Sequence, residues 1–196
     1  MIIHTDLLRK WGAIRLTAEK GRVIFTEGEE AHFYYQIESG EVRMVNTGMN
    51  GKEFIQGIFV AGDSFGEPPL FTGMGYPAAA VADSDSVILR LPKPTFIQLL
   101  KENPEIHYAF TTLLAMRLRQ KSILSREMTC SEPAVLIRGV LKRYTVPELL
   151  QGKLRVTLTR QQIADMTGLR VETVIRTIRG MYKKGDLLVN KGKVYV

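Results

Sequence analysis

The chain has one cysteine, Cys130, in 196 residues. A single thiol excludes an intrachain disulfide framework and any four-cysteine zinc or iron–sulfur site within one chain. Cys130 reads as a plain linker or core thiol; a redox role is the alternative, with no sequence feature beside it that would lower a thiol pKa. Histidine is scarce as well. His4, His32 and His107 share no ligand spacing, so neither haem nor any metal is assigned. No apolar run approaches the ~18 residues of a membrane span. The opening MIIHTDLLRKWG is too polar for a secretory signal. A cytoplasmic protein without membrane contact is therefore expected. Gly73-Met74-Gly75 lies between strands with no helix after it, so it is not a dinucleotide fingerprint. Asp83 and Asp85 read as a solvated turn pair, and no side chains form anything like a catalytic triad, so an enzyme is not expected.

What the chain does have is an uneven charge. Residues 1–116 carry 10 Lys and Arg against 14 Asp and Glu, a net of −4. Residues 117–196 carry 17 against 6, a net of +11. An acidic body joined to a basic C-terminal part implies that only the latter meets phosphate.

Within the basic part, residues 159–178 read TRQQIADMTGLRVETVIRTI. Thr159 and Gln162 have the spacing of a capping box, and Ile163, Ala164 and Met166 can face inward. Gly168 breaks the helix where a tight turn needs positive φ. A second apolar stripe, Leu169, Val174 and Ile178, leaves Glu172, Thr173, Arg176 and Arg179 for an outer face. Two short helices with a glycine turn make a helix-turn-helix, whose second helix fits the DNA major groove. Glu172 and Arg176, four apart, share one face; Glu accepts from cytosine N4 and Arg donates twice to guanine. The alternative is an ordinary helical hairpin carrying a solvated ion pair between those two residues.

Residues ~13–92 alternate like a β-rich domain. Strands are expected at Val23–Phe25, 33–37, 41–45, 54–60, 79–81 and 87–91, closing as a barrel or roll. A helix at 94–102 follows, with Phe96, Leu99 and Leu100 as its core face. Asn103 then caps a longer helix with Pro104 at its first position, reaching about Met128. Along it Phe110, Leu114, Leu118, Lys121 and Ser125 fall near one seam. That seam can pair with a copy of itself or pack on the chain's own β-domain. Residues 129–133 read as a hinge, with Ser131 as N-cap of a helix burying Val135, Leu136, Val140 and Leu141. At the C-terminus, 187–189 and 194–196 flank 190–193 as a hairpin, a wing whose Lys191 and Lys193 can reach phosphates.

This order of segments resembles the cyclic-AMP receptor protein and fumarate–nitrate regulator family of transcription regulators. EGEEAHFYYQIESGEVRM, with Gly28 and Gly40, looks like the family's early roll strands; AGDSFGEPPLF looks like its phosphate-cassette start. NPEIHYAFTTLLAMRL looks like its dimer helix, and TRQQIADMTG with VETVIR is similar to its DNA reader. The resemblance implies an α+β chain. Residues 1–103 would be a cyclic-nucleotide-binding-like β-roll of jelly-roll type and 104–130 a dimerisation helix and hinge, with a winged helix-turn-helix at 131–196. It implies a homodimer joined along Phe110, Leu114 and Leu118, an inverted-repeat site on double-stranded DNA, and RNA polymerase as a partner. Glu172 and Arg176 carry over as base readers; Val171 matches the fumarate–nitrate branch and suits a thymine methyl. Arg160, Gln161 and Thr173 resemble phosphate-contact positions. Arg170 departs from the usual small hydroxyl residue, losing a cap worth ~1 kcal/mol but placing a cation where a phosphate contact fits.

The sensor departs further. Gly66-Glu67 matches the Gly-Glu with which cyclic-nucleotide binders start their cassette, the Glu accepting from a ribose hydroxyl. Where those proteins then place Arg-Ser/Thr-Ala, this chain has Pro77-Ala78-Ala79. Proline supplies neither charge nor donor, so a cyclic phosphate would be desolvated without a partner. No cofactor is assigned and the effector is unknown. Lys121 and Ser122 match dimer-helix positions that face the pocket in relatives, so a cyclic-nucleotide sensor using Lys121 as its cation is the alternative. Otherwise the hollow takes an uncharged or apolar effector lined by Pro68, Pro69, Tyr76 and Ala79, or is vestigial.

Overall fold

Alternating apolar residues build the N-terminal half of the chain. The computed structural model describes residues 1–49, 51–129 and 132–196, which leaves the thiol of Cys130 and the expected cap Ser131 outside the described residues. Two units are present, Met1–Met116 and Arg117–Val196. Their boundary is the charge boundary, so the first unit is the acidic one and the second the basic one.

The first unit opens with helix α1 (Thr5–Lys10) and holds eight strands. These are β1 (Ile14–Ala18), β2 (Val23–Phe25), β3 (Phe33–Ser39), β4 (Glu41–Thr47), β5 (Glu53–Val60), β6 (Ser64–Phe65), β7 (Ala79–Ala82) and β8 (Ser86–Pro92). They form two antiparallel four-stranded sheets, in the orders β1-β8-β3-β6 and β2-β7-β4-β5. Ile37, Ile88 and Leu91 of one sheet share a core with Phe25, Val42, Ala80 and Ala82 of the other, which makes the roll. The pairing of β4 with β5 shifts register between Met44 and Val45, leaving Gln56 of β5 as the extra residue of a bulge; Met44 and Val45 are both buried, and Met44 joins the core of the roll. The six expected strands agree with the structure to within two residues; β1, β6 and α1 were not anticipated. Asp83 and Asp85 are not a solvated pair: Asp83 accepts from Arg43 at 2.8 Å, and Asp85 accepts from the Lys20 backbone N–H at 2.9 Å.

Helix α2 (Pro68–Thr72) sits between β6 and β7, and α3 (Lys93–Glu102) follows β8. Phe96, Leu99 and Leu100 of α3 are buried as expected. The Asn103 side-chain amide donates to the Leu99 carbonyl, closing α3, while its own carbonyl accepts from Ile106 and His107 to start α4 (Pro104–Thr129). Along its 26 residues α4 fully buries only Phe110. Phe110 stands edge-on to Phe96 at 5.6 Å and to Tyr34 at 6.2 Å, and Leu114 packs on the same core. This corrects the seam: Phe110 belongs to the core of its own unit. Large apolar side chains that α4 leaves exposed are Tyr108, Met116, Leu118 and Met128.

The second unit adds α5 (Pro133–Arg143), β9 (Thr145–Leu150), β10 (Lys153–Val156), α6 (Arg160–Thr167), α7 (Val171–Lys183), β11 (Leu188–Asn190) and β12 (Lys193–Tyr195). Its strands form one sheet in the order β11-β12-β10-β9. The N-cap of α5 falls on Glu132, whose side chain makes no capping bond. Ile137, rather than the half-exposed Val135, joins Leu136, Val140 and Leu141 inside. The β9–β10 hairpin was not anticipated; Pro147 argues against a central strand, but β9 is an edge strand, where a missing N–H is tolerated. No helix among the described residues is long and apolar enough to cross a membrane.

Phe110→Ala should cost about 3–5 kcal/mol of stability in the first unit, the usual range for truncating a buried aromatic. Chemical denaturation followed by circular dichroism measures it; unchanged stability with lost self-association would return Phe110 to the seam.

Candidate DNA interface and effector pocket

Helix α6 starts on a complete capping box. The Gln162 backbone N–H donates to Thr159 Oγ1 at 3.1 Å, and the Thr159 N–H donates to Gln162 Oε1 at 2.8 Å. Gly168, at φ +71°, ends the helix in the left-handed conformation that only glycine adopts without strain. Helix α7 then buries Val174, Ile178 and Met181, while α6 contributes Ile163, Ala164 and Met166 and α5 contributes Ile137 and Val140 to the unit's core. Burial of each such side chain is worth about 1.5–3 kcal/mol, enough to set which face of α7 turns outward.

That outward face carries Arg170, Glu172, Arg176 and Arg179, all exposed, with Val171 and Thr173 half-buried. Among the described residues neither Glu172 nor Arg176 has an ion-pair partner, so the pair that would explain them as surface decoration is not formed. Ile175 and Tyr182 are also exposed on α7 and were not singled out from sequence. The signal for Ile175 was its place one residue before Arg176, off the buried stripe. Arg170 occupies the N-cap of α7 without capping it.

The remaining candidate phosphate contacts divide into engaged and free. Gln161 donates to Asp165 at 2.9 Å, one turn along α6. The Arg160 guanidinium donates to the Gly192 carbonyl at 3.3 Å, and burial lowers its pKa from the usual arginine range. Lys191 and Gly192 form the turn between β11 and β12, both with positive φ, at 46° and 78°. Lys191 is exposed and makes no hydrogen bond or ion pair among the described residues. Lys193 is not at the tip; it opens β12 and lies 3.9 Å from Glu148 of β9. Glu148 also pairs with Arg155 at 2.5 Å and accepts from the Tyr195 hydroxyl at 3.2 Å. Burial pushes the Glu148 carboxyl up, yet the hydrogen bonds from Arg155 and Tyr195 and the charges of Arg155 and Lys193 together hold it below the usual carboxylate range.

In the first unit the cassette residues gather around aromatic rings. Tyr76 lies flat on Phe25, with centroids 3.6 Å apart, and Phe25 in turn neighbours Tyr35 and Phe65. Burial pushes the Tyr76 hydroxyl far above its ordinary pKa. Gly66 rests against this stack so closely that a Cβ would sit 2.9 Å from the Phe25 ring. Glu67, Pro69 and Ala78 are buried, Ala79 is half-buried at the start of β7, and Pro68 and Pro77 are exposed. Asn46 of β4 donates to the Pro77 carbonyl at 2.7 Å and to the Glu27 carboxylate at 2.9 Å. The surroundings of Pro77 therefore include a carboxylate, the charge least suited to receiving a phosphate. Lys121 and Ser122 lie on the part of α4 that belongs to the second unit. The Ser122 hydroxyl donates to the Leu118 carbonyl at 3.1 Å, and desolvation lowers the Lys121 ammonium pKa although its side chain is exposed.

Two family profiles match in this order along the chain. The first, described as a cyclic nucleotide-binding domain, covers residues 15–103; the second, a Crp-like helix-turn-helix domain, covers 135–196. The chain belongs to the CRP/FNR family of transcription regulators. The fumarate nitrate reduction regulatory protein of Klebsiella oxytoca is 28% identical over 179 residues, covering 89% of this chain and 71% of that protein. A CooA mutant from Carboxydothermus hydrogenoformans shares the fold with a TM-score of 0.81 at 18% identity, covering 98% of this chain and 86% of that one. The catabolite activator protein of Thermus thermophilus is 26% identical, with a TM-score of 0.56 over 97% of this chain and 88% of that one. Membership makes the protein a regulator whose relatives are transcription factors rather than enzymes.

Proposed function

We propose that this regulator is a homodimer that reads an inverted-repeat DNA site with α7 and needs no cyclic nucleotide to do so. Residues 1–103 act as the effector-type roll, 104–130 as the dimerisation helix and hinge, and 131–196 as the DNA-binding domain. Glu172 and Arg176 read bases, with Val171 beside them for a thymine methyl. Gln161, Arg170, Thr173 and Lys191 meet phosphates. The observation that carries this reading is the unpaired state of Glu172 and Arg176 on the outer face of a helix whose other face is buried. Arg170 supports it: a cation at a helix N-terminus opposes the helix dipole by about 0.3–1 kcal/mol, a cost that a phosphate contact would offset. Glu172→Ala and Arg176→Ala should each relax preference at particular base pairs, at about 1–3 kcal/mol. Selection of sites from random DNA measures this, and an unchanged site for both variants would mean that bases are read elsewhere.

The dimer reading rests on α4, whose Tyr108, Met116 and Leu118 are left exposed by the described residues. Two copies paired along it would set two α7 helices about one DNA turn, ~34 Å, apart. Sedimentation at micromolar concentration should show a dimer that Leu118→Glu dissociates. A stable wild-type monomer that still binds its site tightly would contradict the pairing. The cytoplasm as its place of action and RNA polymerase as its protein partner are expected on the family resemblance.

For the roll, the Tyr76–Phe25 stack against Gly66 and the Glu27 carboxylate near Pro77 both oppose a cyclic phosphate. An effector, if the roll takes one, is uncharged or apolar. The second reading, Lys121 as replacement cation, is favoured only by that lysine's desolvation. Calorimetric titration separates the two. Binding of cyclic AMP and cyclic GMP should be weak or absent. Submicromolar affinity lost in Lys121→Ala would establish the second reading, and affinity surviving that change would overturn both.

A further inference from the structure

The wing is a small hairpin with a demanding turn. Its strands β11 and β12 are three residues each, a size that is marginal without support. The two-residue turn needs positive φ at both central positions, and one of them is filled by a lysine rather than the asparagine or glycine that would adopt it readily. Lys191 is left exposed at that strained corner, while the residues around it are tied down. Arg160, the first residue of α6, bonds to the turn's Gly192 carbonyl. Glu148 reaches across the sheet from β9 to Lys193 and Tyr195, the two ends of β12. A guanidinium that served chiefly as a phosphate contact would sit in water until DNA arrived. That of Arg160 is instead partly withdrawn from water and donates to backbone.

We propose that Arg160 and Glu148 are positioning residues of the wing: Arg160 fixes the Lys191–Gly192 turn and Glu148 fixes β12, so that Lys191 is the wing's own contact with the DNA backbone. This deepens the DNA-binding reading above and rests on it. The anchors matter because a phosphate contact from a mobile hairpin loses most of its strength to ordering on binding. Holding the turn beforehand leaves that contact at full strength. In this arrangement the effect of Arg160 on DNA affinity runs through Lys191.

A duplex of random sequence is the suitable probe, since backbone contacts carry no base information. Its affinity is measured across a range of salt for Lys191→Ala, Arg160→Met, Arg160→Lys, Glu148→Gln and the double variants with Lys191→Ala. Lys191→Ala should weaken binding about five- to tenfold and lower the salt slope by about one. Arg160→Met and Glu148→Gln should each weaken binding in the wild-type background, yet by less than about twofold once Lys191 is gone, as residues acting through a shared contact are non-additive. Arg160→Lys, which keeps a donor, should recover most of the loss. Hydrogen exchange without DNA should quicken at the Asn190–Lys193 pairing in Arg160→Met. Fully additive losses, with a further fall of about one in the salt slope for Arg160→Met, would make Arg160 a phosphate contact and overturn the proposal. Unchanged exchange in the wing would overturn it too, whatever the DNA results. Absence of duplex binding at any salt would instead overturn the DNA-binding reading beneath it.

Discussion

The burial of one stripe of α7 is the constraint on which the functional surface depends. Val174, Ile178 and Met181 leave water on one side of the helix, and the helix cannot rotate without exposing them. Their combined burial exceeds by several-fold the few tenths to 1 kcal/mol that dipole and ion-pair effects contribute at a helix surface. Apolar packing therefore decides where the charged residues point. Glu172 and Arg176 are carried outward because the core on the other side requires it, and among the described residues neither has an ion-pair partner. The capping box at Thr159 and the left-handed Gly168 define where α6 begins and ends, so the two helices meet with that stripe correctly placed.

The first unit fills its interior at the cassette with aromatic rings. Aromatic rings are large, rigid fillers, and Phe25, Tyr35, Phe65 and Tyr76 bring four of them together at the cassette. A glycine at position 66 is what lets the cassette backbone approach the stack so closely. With rings inside, a carboxylate near Pro77, and Pro77-Ala78-Ala79 in place of an Arg-Ser/Thr-Ala stretch, the roll keeps the family's architecture with a different set of side chains at the cassette. Helix α4 divides its apolar side chains: Ile106, Phe110 and Leu114 pack on its own roll, while Tyr108, Met116, Leu118 and Met128 stay exposed.

Local features were legible in the sequence because their causes are local. The cap at Thr159, the turn at Gly168, the 3.6-residue stripe of α7 and the glycine-punctuated strands each depend on a few neighbouring residues. The partition of charge was equally plain, and its boundary at residue 117 is the boundary between the two units. Family membership followed from these segments taken in order.

What the sequence could not decide was which surfaces meet. Phe110 lies on the same seam as Leu118, and periodicity treats them alike; only the position of Phe96 and Tyr34 on other elements draws Phe110 into the core. Lys193 looked as free as Lys191 because its partner, Glu148, is 45 residues away on a strand whose Pro147 disguised it. Gly66 and Tyr76 lie ten residues apart in the sequence, and only the fold brings Phe25, from a third segment, against both. Hydrophobicity and turn chemistry are written along the chain, so the elements and their apolar faces were determined there. The partner of each face is a matter of long-range packing, and that was decided only when the chain folded on itself.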